Sequence, residues 1–369
     1  MKPSIRVLIA DDSQVCRYYL RHILETDGDI LVVGIAVNGE EAVRFAERLK
    51  PDLIVMDINM PKMNGYDATR RIMETNPVPI IIISASYDST DVKMTFHAME
   101  AGAIAFLNKP SGEGDPDHDE SVKDFINTVK LMSEVKVVKR WPKTIISEAV
   151  RRPIPEFRYK RIPKKIRLVA IGASTGGPPV LQTILSGLQG EFPIPVLIVQ
   201  HIAKGFLKGM VEWLQHTTIL PIHIATDGEH ILPGHIYFAP EDFHMGVDSA
   251  GRVAITRTEL ENRVCPSVSY LFHSAVNVFG GDMVGILLTG MGRDGAEELR
   301  LMKDRGGITI VQDKESSVVY GMPWEAVKLN AATYELSPEM IAQALENLVD
   351  RNYIIANSTI ENEIPKKPS

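Results

Sequence analysis

Cysteine is scarce in this chain, which holds only Cys16 and Cys265 among 369 residues. The two lie far apart, so no disulfide framework or zinc cluster can be assembled within one domain, and a reducing compartment fits. Long apolar runs are also missing, since no stretch reaches the ~18 residues of a membrane span. Met1 leads into a short β-like segment and not into a cationic and then apolar leader. A cytoplasmic protein without membrane insertion is expected. Nor is there a basic excess: 40 Lys and Arg stand against 47 Asp and Glu, a net charge of -7, which gives no support for nucleic-acid or anionic-membrane binding by the whole chain. Hydrophobic residues, by contrast, make up 44% of the chain and charged residues 24%, the composition of a globular protein able to bury sizeable cores. At this length two domains are expected.

From residue 5 to about 132, the apolar runs IRVLIA, LVVGIAV, LIVMD, PIIIISA and AIAFLN alternate with amphipathic segments. Strands buried on both faces read as continuous apolar runs, so this alternation predicts a doubly wound α/β domain with a five-stranded parallel sheet. Asn38, ahead of GEEAVRFAERLK, is a plausible helix N-cap with acids in the first turn. The pattern then dissolves. Residues 136–167 carry twelve Lys or Arg against Glu148 and Glu156, with Pro142, Pro153, Pro155 and Pro163 breaking any regular face. A solvated linker over 133–165 is the plainer reading and a polyanion-binding or docking segment the sharper one. A second β/α system runs from Arg167 through LVAIGASTGG, PVLIVQH, PIHIA, HIYFAP, GRVAIT, MVGILLTG and ITIVQD to a predicted helix from Pro338 to about Val349. The expected division is 1–132, linker 133–165, a second α/β domain with a mainly parallel sheet over 166–352, and a polar tail over 353–369.

Three acids of the first domain fall at strand ends: Asp11 and Asp12 after IRVLIA, and Asp57 closing LIVMD. The carboxyl ends of parallel strands open into the ligand crevice, so these acids should meet. Like charges placed together call for a cation, and an all-oxygen set suits Mg²⁺. Ser84 at the end of the fourth strand and Lys109 after the fifth supply donors for a phosphoryl group. Strand-end acids often merely cap the next helix, but here all five elements occur in order. The constellation resembles the receiver domain of bacterial response regulators in its DD pair, VMDINMPKMNG, Ser84 and Lys109-Pro110. The resemblance implies that Asp57 accepts phosphate from a histidine kinase. It also implies that Asp12, Asp57 and the Asn59 carbonyl hold Mg²⁺ with Asp11 in support, while Ser84 and Lys109 contact the phosphoryl oxygens.

In the second domain Gly172-Ala173-Ser174-Thr175-Gly176-Gly177 joins an apolar strand to the helical pattern PPVLQTILSGL. A serine on such a turn projects its hydroxyl from the sheet edge near helix N-terminal amides that stabilise an oxyanion. A phosphate-cradling turn or an inert N-cap serine are the plainer readings, although neither the G-x-G-x-x-G order nor a G-K-[ST] ending is present. A nucleophile needs a base, and the base an orienting acid. His201 after PVLIVQ and Asp294 in TGMGRDG follow apolar strands, so all three can converge on one edge. His223, His235 and His244 lack such turns and read as packed or surface histidines. The order Ser, His, Asp differs from that of the α/β-hydrolase fold, which is not assigned.

The segments IGASTGGPPVL, IVQHIAKGF, LPGHIYFAP, CPSVSYLF, LLTGMGRDGAEEL and YGMPWEA closely resemble the catalytic domain of the chemotaxis protein-glutamate methylesterase family. The resemblance implies Ser174 as nucleophile, His201 as general base and acid, Asp294 as orienting carboxylate and the Met291 amide as oxyanion donor. The implied reaction is hydrolysis of γ-glutamyl methyl esters on a chemoreceptor, releasing methanol without a cofactor, with deamidation of glutamine by the same chemistry. Ile202 stands where the family often has Met, Ser269 where Asp is usual, and GYDATRRIM differs from the family's Leu-rich helix. Two rival readings differ in class. A phosphorylation-dependent binding module would hold partners without turnover. A transcription factor would carry a shorter output domain with a basic recognition helix, whereas the basic residues here concentrate in the proline-broken stretch.

Overall fold

The structure, a computed structural model, describes residues 4–84, 89–135, 137, 166–190, 192–257 and 264–348. The basic stretch over 138–165 and the tail over 353–369 therefore lie outside the described residues. The chain divides into two compact units, Met1–Arg152 and Pro153–Ser369.

The first unit alternates strictly: β1 (Ile5–Ala10), α1 (Gln14–Glu25), β2 (Ile30–Ala36), α2 (Gly39–Leu49), β3 (Leu53–Asp57), α3 (Gly65–Thr75), β4 (Ile80–Ser84), α4 (Ser89–Ala101), β5 (Ala105–Asn108) and α5 (His118–Ser133). All five strands are parallel in the order β2-β1-β3-β4-β5, and every residue of β3 and β4 is buried. The unbroken runs LIVMD and IIIIS thus reflect central strands covered on both faces. Helix starts follow from side chains that satisfy orphan amides: Ser13, Asn38 and Asn64 accept from the backbone N–H of Cys16, Glu41 and Asp67. The Asn38 cap is the one expected from the sequence, with Glu40 and Glu41 in its first turn.

The second unit contains β6 (Leu168–Ala173), α6 (Gly177–Ser186), β7 (Val196–Gln200), α7 (Leu207–Gln215), β8 (Ile222–Ile224), β9 (Ile236–Phe238), β10 (His244–Val247), β11 (Val253–Thr256), α8 (Val268–Phe279), β12 (Met283–Leu287), α9 (Ala296–Asp304), β13 (Ile308–Gln312), α10 (Met322–Lys328) and β14 (Tyr334–Leu336), then a helix over 338–348. Seven strands form a parallel sheet in the order β14-β13-β12-β6-β7-β9-β8, and β10 pairs with β11 as a separate antiparallel ribbon. Helix α8 packs Val268, Leu271, Phe272, Ala275 and Val276 into one core with Leu168, Ala170 and Leu287 of the central strands. Each large side chain so buried contributes roughly 1.5–3 kcal/mol. That packing fixes the N-terminal turn of α8 above the carboxyl ends of β6 and β12.

Candidate active site

In the first unit the strand-end residues do meet. Asp11 is fully buried and Asp57 nearly so, while Asp12 and Asn59 are exposed at the rim and Ser84 is buried at the end of β4. One oxygen from each of Asp11, Asp12 and Asp57 lies within 4.8 Å of the others. Lys109 Nζ reaches across to Asp11 Oδ2 at 2.7 Å and Asp57 Oδ1 at 2.8 Å. Burial pushes the Asp57 carboxyl up to about 6; the Lys109 hydrogen bond and charge counter this only in part, and Asp11 and Asp12 push further in the same direction. Burial alone would lower the Lys109 ammonium, but its bonds to the two carboxylates hold it above its usual range. One ammonium thus leaves the three carboxylates short of positive charge, and an all-oxygen set with that deficit fits a hard divalent cation. Gly65 lets α3 start directly against Asp57, since a Cβ there would lie 2.3 Å from the Asp57 carbonyl oxygen.

In the second unit Ser174 and His201 directly follow β6 and β7, and Asp294 lies in the loop that joins β12 to α9, so all three gather at the carboxyl ends of three neighbouring central strands. Ser174 follows β6 on a turn tied in several directions. Its N–H donates to the Thr289 carbonyl at 3.0 Å, and its own carbonyl accepts from Gly177 N–H and Gln200 Nε2, both at 2.8 Å. His201 N–H donates to the Ala173 carbonyl at 2.9 Å, which sets the base one strand from the nucleophile. Gly290 sits so close that a Cβ would meet Ser174 Cβ and Met322 Sδ at 2.5 Å each, a contact only glycine allows.

His201 Nε2 lies 3.0 Å from Asp294 Oδ2. Burial raises the Asp294 carboxyl, but the His201 hydrogen bond and charge and the amides of Ser269 and Val268 outweigh it and hold the group down at about 2. Asp294 is therefore held ionised and only accepts, so Nε2 is the donor of the pair and Nδ1 is the ring nitrogen turned away from the carboxylate. This reverses the usual assignment, in which Nδ1–H faces the carboxylate. The adjoining cleft of about 440 Å³ is lined by His201, Met291, Arg293, Asp294, Glu297 and Glu298 among others. Met291 is about half exposed, and its amide donates to no acceptor among the described residues. A larger groove of about 880 Å³ runs beside α8 and shares Ser269 and Glu298 with the cleft.

With that geometry in place, the comparisons agree on both units. Residues 7–116 match the response regulator receiver domain and residues 169–345 the CheB methylesterase. The chain is similar to a protein-glutamate methylesterase/protein-glutamine glutaminase of Syntrophus aciditrophicus, 53% identical over 93% of this chain and 98% of the relative. A protein of the same description from Geobacter metallireducens is 52% identical over 93% of this chain and 99% of its own length. This chain belongs to the protein-glutamate methylesterase family. Among solved structures, the Thermotoga maritima CheB methylesterase catalytic domain is 36% identical, covering 50% of this chain and 99% of its own with a TM-score of 0.48.

Several contacts of this methylesterase-family site were not singled out from the sequence. Ser267 Oγ and Ser269 N–H donate to Asp294 Oδ1, at 2.9 and 3.0 Å, and Val268 N–H donates to Oδ2 at 2.6 Å. Buried Gln200 braces the Ser174 turn, and buried Thr289 links that turn to Val319. Their only mark in the sequence is a polar side chain at a strand or helix end, which does not name a partner. Ser269 donates to Glu298 Oε2 at 2.6 Å and accepts from Gly295 N–H at 2.9 Å, which ties the first turn of α8 to the start of α9. His244 is buried with Nδ1 accepting from Ser267 N–H, and His223 and His235 stack on each other away from the triad.

Proposed function

We propose that the chain is a phosphorylation-activated serine hydrolase that removes methyl groups from glutamate γ-esters of chemoreceptors and deamidates receptor glutamines. The reading is carried by one observation: Asp294 holds His201 by Nε2 at 3.0 Å at the sheet edge where the turn after β6 carries Ser174. In the first step His201 Nδ1 takes the Ser174 hydroxyl proton as Oγ attacks the ester carbonyl carbon. The oxyanion falls to the unengaged Met291 amide. Collapse expels the alcohol, which leaves as methanol with the proton held on His201, and a glutamyl-serine ester remains. Water, deprotonated by the same nitrogen, releases glutamate and restores Ser174. A glutamine substrate follows the same course with ammonia as leaving group. No cofactor enters these steps.

The cleft and the groove beside α8 together offer more room than one methyl ester fills, which supports a protein as substrate. With a receiver over 1–132 and a catalytic domain over 166–352, Asp57 takes phosphate from a chemosensory histidine kinase. Asp11, Asp12, Asp57 and the Asn59 carbonyl would hold the Mg²⁺ that neutralises this pocket, and Ser84 and Lys109 would contact the phosphoryl oxygens. Among the described residues no helix is long and apolar enough to cross a membrane, and we place the protein in the cytoplasm, where kinase and receptor signalling domains meet. Methanol release from a methylated receptor fragment tests the reading. Ser174→Ala should lower it by about 10⁶-fold while leaving the fold intact. Residual turnover above a hundredth of wild type would assign the nucleophile elsewhere.

A further inference from the structure

We propose that Ser267 is a positioning residue for the hydrolysis, acting through Asp294 and not on the substrate. The inference rests on the triad reading above. Asp294 Oδ1 accepts from Ser267 Oγ at 2.9 Å and Ser269 N–H at 3.0 Å, while Oδ2 accepts from Val268 N–H at 2.6 Å and His201 Nε2 at 3.0 Å. Two donors on each oxygen fix the carboxylate plane. Without such donors the terminal torsion of an aspartate is broad, so the plane and the direction of Oδ2 would wander. Two of the four donors are amides of the α8 N-terminal turn, one is the base itself, and Ser267 supplies the fourth.

Ser267 is itself immobilised. It is 2% exposed, its N–H donates to Nδ1 of the buried His244 at 3.2 Å, and its Oγ accepts from Tyr270 N–H at 3.3 Å as the cap of α8. His244 in turn stacks on Tyr270, with centroids 5.1 Å apart. A hydroxyl has one proton and two lone pairs, so Oγ accepts from Tyr270 N–H and donates to Asp294 at the same time. A chain of contacts thus runs from the β10 ribbon through Ser267 to Asp294 and His201. A misplacement of about 1 Å in such an arrangement costs on the order of 100-fold in rate.

The rival account is that Ser267 only caps α8, and glycine separates the two. Replacing a serine cap with glycine barely weakens a helix, yet it removes the hydroxyl. In the full-length chain, Ser267→Gly should melt within a few degrees of wild type, while kcat for methanol release from a methylated receptor fragment falls about 10- to 100-fold with KM within about twofold. Ser267→Thr, which keeps the hydroxyl, should restore most of kcat. Ser267→Asp caps equally well but sets a second carboxylate beside Asp294, so it should fold and hydrolyse poorly. Asp294→Asn is measured alongside. If that variant is active, the triad reading itself fails. If it is inactive while Ser267→Gly turns over within twofold of wild type, Ser267 is a cap and the inference is overturned. Should Ser267→Gly melt early, the aspartate variant decides: wild-type activity there overturns the inference, and a folded, slow enzyme supports it.

Discussion

The Asp294 carboxylate gives the sharpest single test, because both its catalytic and its structural roles follow from the same four hydrogen bonds. In Asp294→Asn one oxygen becomes an NH₂ donor. If the NH₂ replaces Oδ2, it faces Val268 N–H and forces His201 to turn a lone pair toward it, which moves the imidazole proton to Nδ1 and removes the base. If it replaces Oδ1, it faces Ser269 N–H, and Ser267 must reverse its hydroxyl. Either way an amide N–H of the α8 turn loses its acceptor, which costs up to about 1–3 kcal/mol at the buried Val268 and less at the partly exposed Ser269. The first orientation also gives the wrong tautomer, an effect of about 10⁴ in kcat in a comparable triad. The lost charge adds a pH signature. Asp294 is held at about 2 against an ordinary 3.8, so its stabilisation is fully present above pH 4 and disappears as pH falls through 3.8 toward 2. The side chain is 10% exposed, so the shift translates with little screening into about 2 kcal/mol, of which about 1 kcal/mol is gone by pH 3. Urea unfolding of wild type and Asp294→Asn from pH 7 to pH 3 should therefore show a gap that narrows with acid, alongside a collapse of methanol release. A gap independent of pH, or a variant within tenfold of wild-type turnover, would refute the ionised-acceptor account.

Two further outcomes concern the first unit. Acetyl phosphate with Mg²⁺ should place one hydroxylamine-labile acyl phosphate on the chain, and Asp57→Asn should abolish it by removing the acceptor; a label mapping to 166–352 would assign the phosphate elsewhere. A chain beginning at Lys165 should hydrolyse receptor esters faster than the unphosphorylated whole. A restraint of 10- to 100-fold requires only about 1.4–2.7 kcal/mol, within reach of one phosphoryl contact network, and an equal or lower rate would mean that the receiver acts by recruitment or direct activation instead.

The sequence made most of the two sheets readable because their central strands are covered on both faces, so LIVMD and MVGILL stand out as unbroken apolar runs. Residues at strand ends were readable for the same reason: once a strand is placed in a parallel sheet, the position after it is on the functional edge. Asp11, Asp57, Ser174 and His201 were singled out in this way, and Asp294 from the loop that follows MVGILL. The ribbon strand β10, HMGV, and the edge strand β14, YEL, were not identified, being short and carrying polar or glycine positions that break any period. Ser267 was equally hidden as a partner. A serine before a helix suggests a cap, but its second bond reaches Asp294, 27 residues further along the chain, and depends on how α8 packs across β6 and β12. The choice of ring nitrogen on His201 is likewise a matter of side-chain approach, which no spacing records.

The placement of the triad beyond the carboxyl ends of β12, β6 and β7 bears on how the protein loses activity. These strands occupy the middle of the seven-stranded sheet, flanked by β13 and β14 on one side and β9 and β8 on the other. Sheet edges exchange their amide protons through local fraying, whereas central strands exchange only when the whole domain opens. The three reacting side chains sit in the turns that follow these strands, and the bonds of Ser174 N–H to the Thr289 carbonyl and of His201 N–H to the Ala173 carbonyl tie two of those turns to the slowest-exchanging part of the fold. Fraying at β8 or β14 leaves them in register, so heat or denaturant should extinguish hydrolysis in the same cooperative transition that melts the domain, without a preceding inactive folded state.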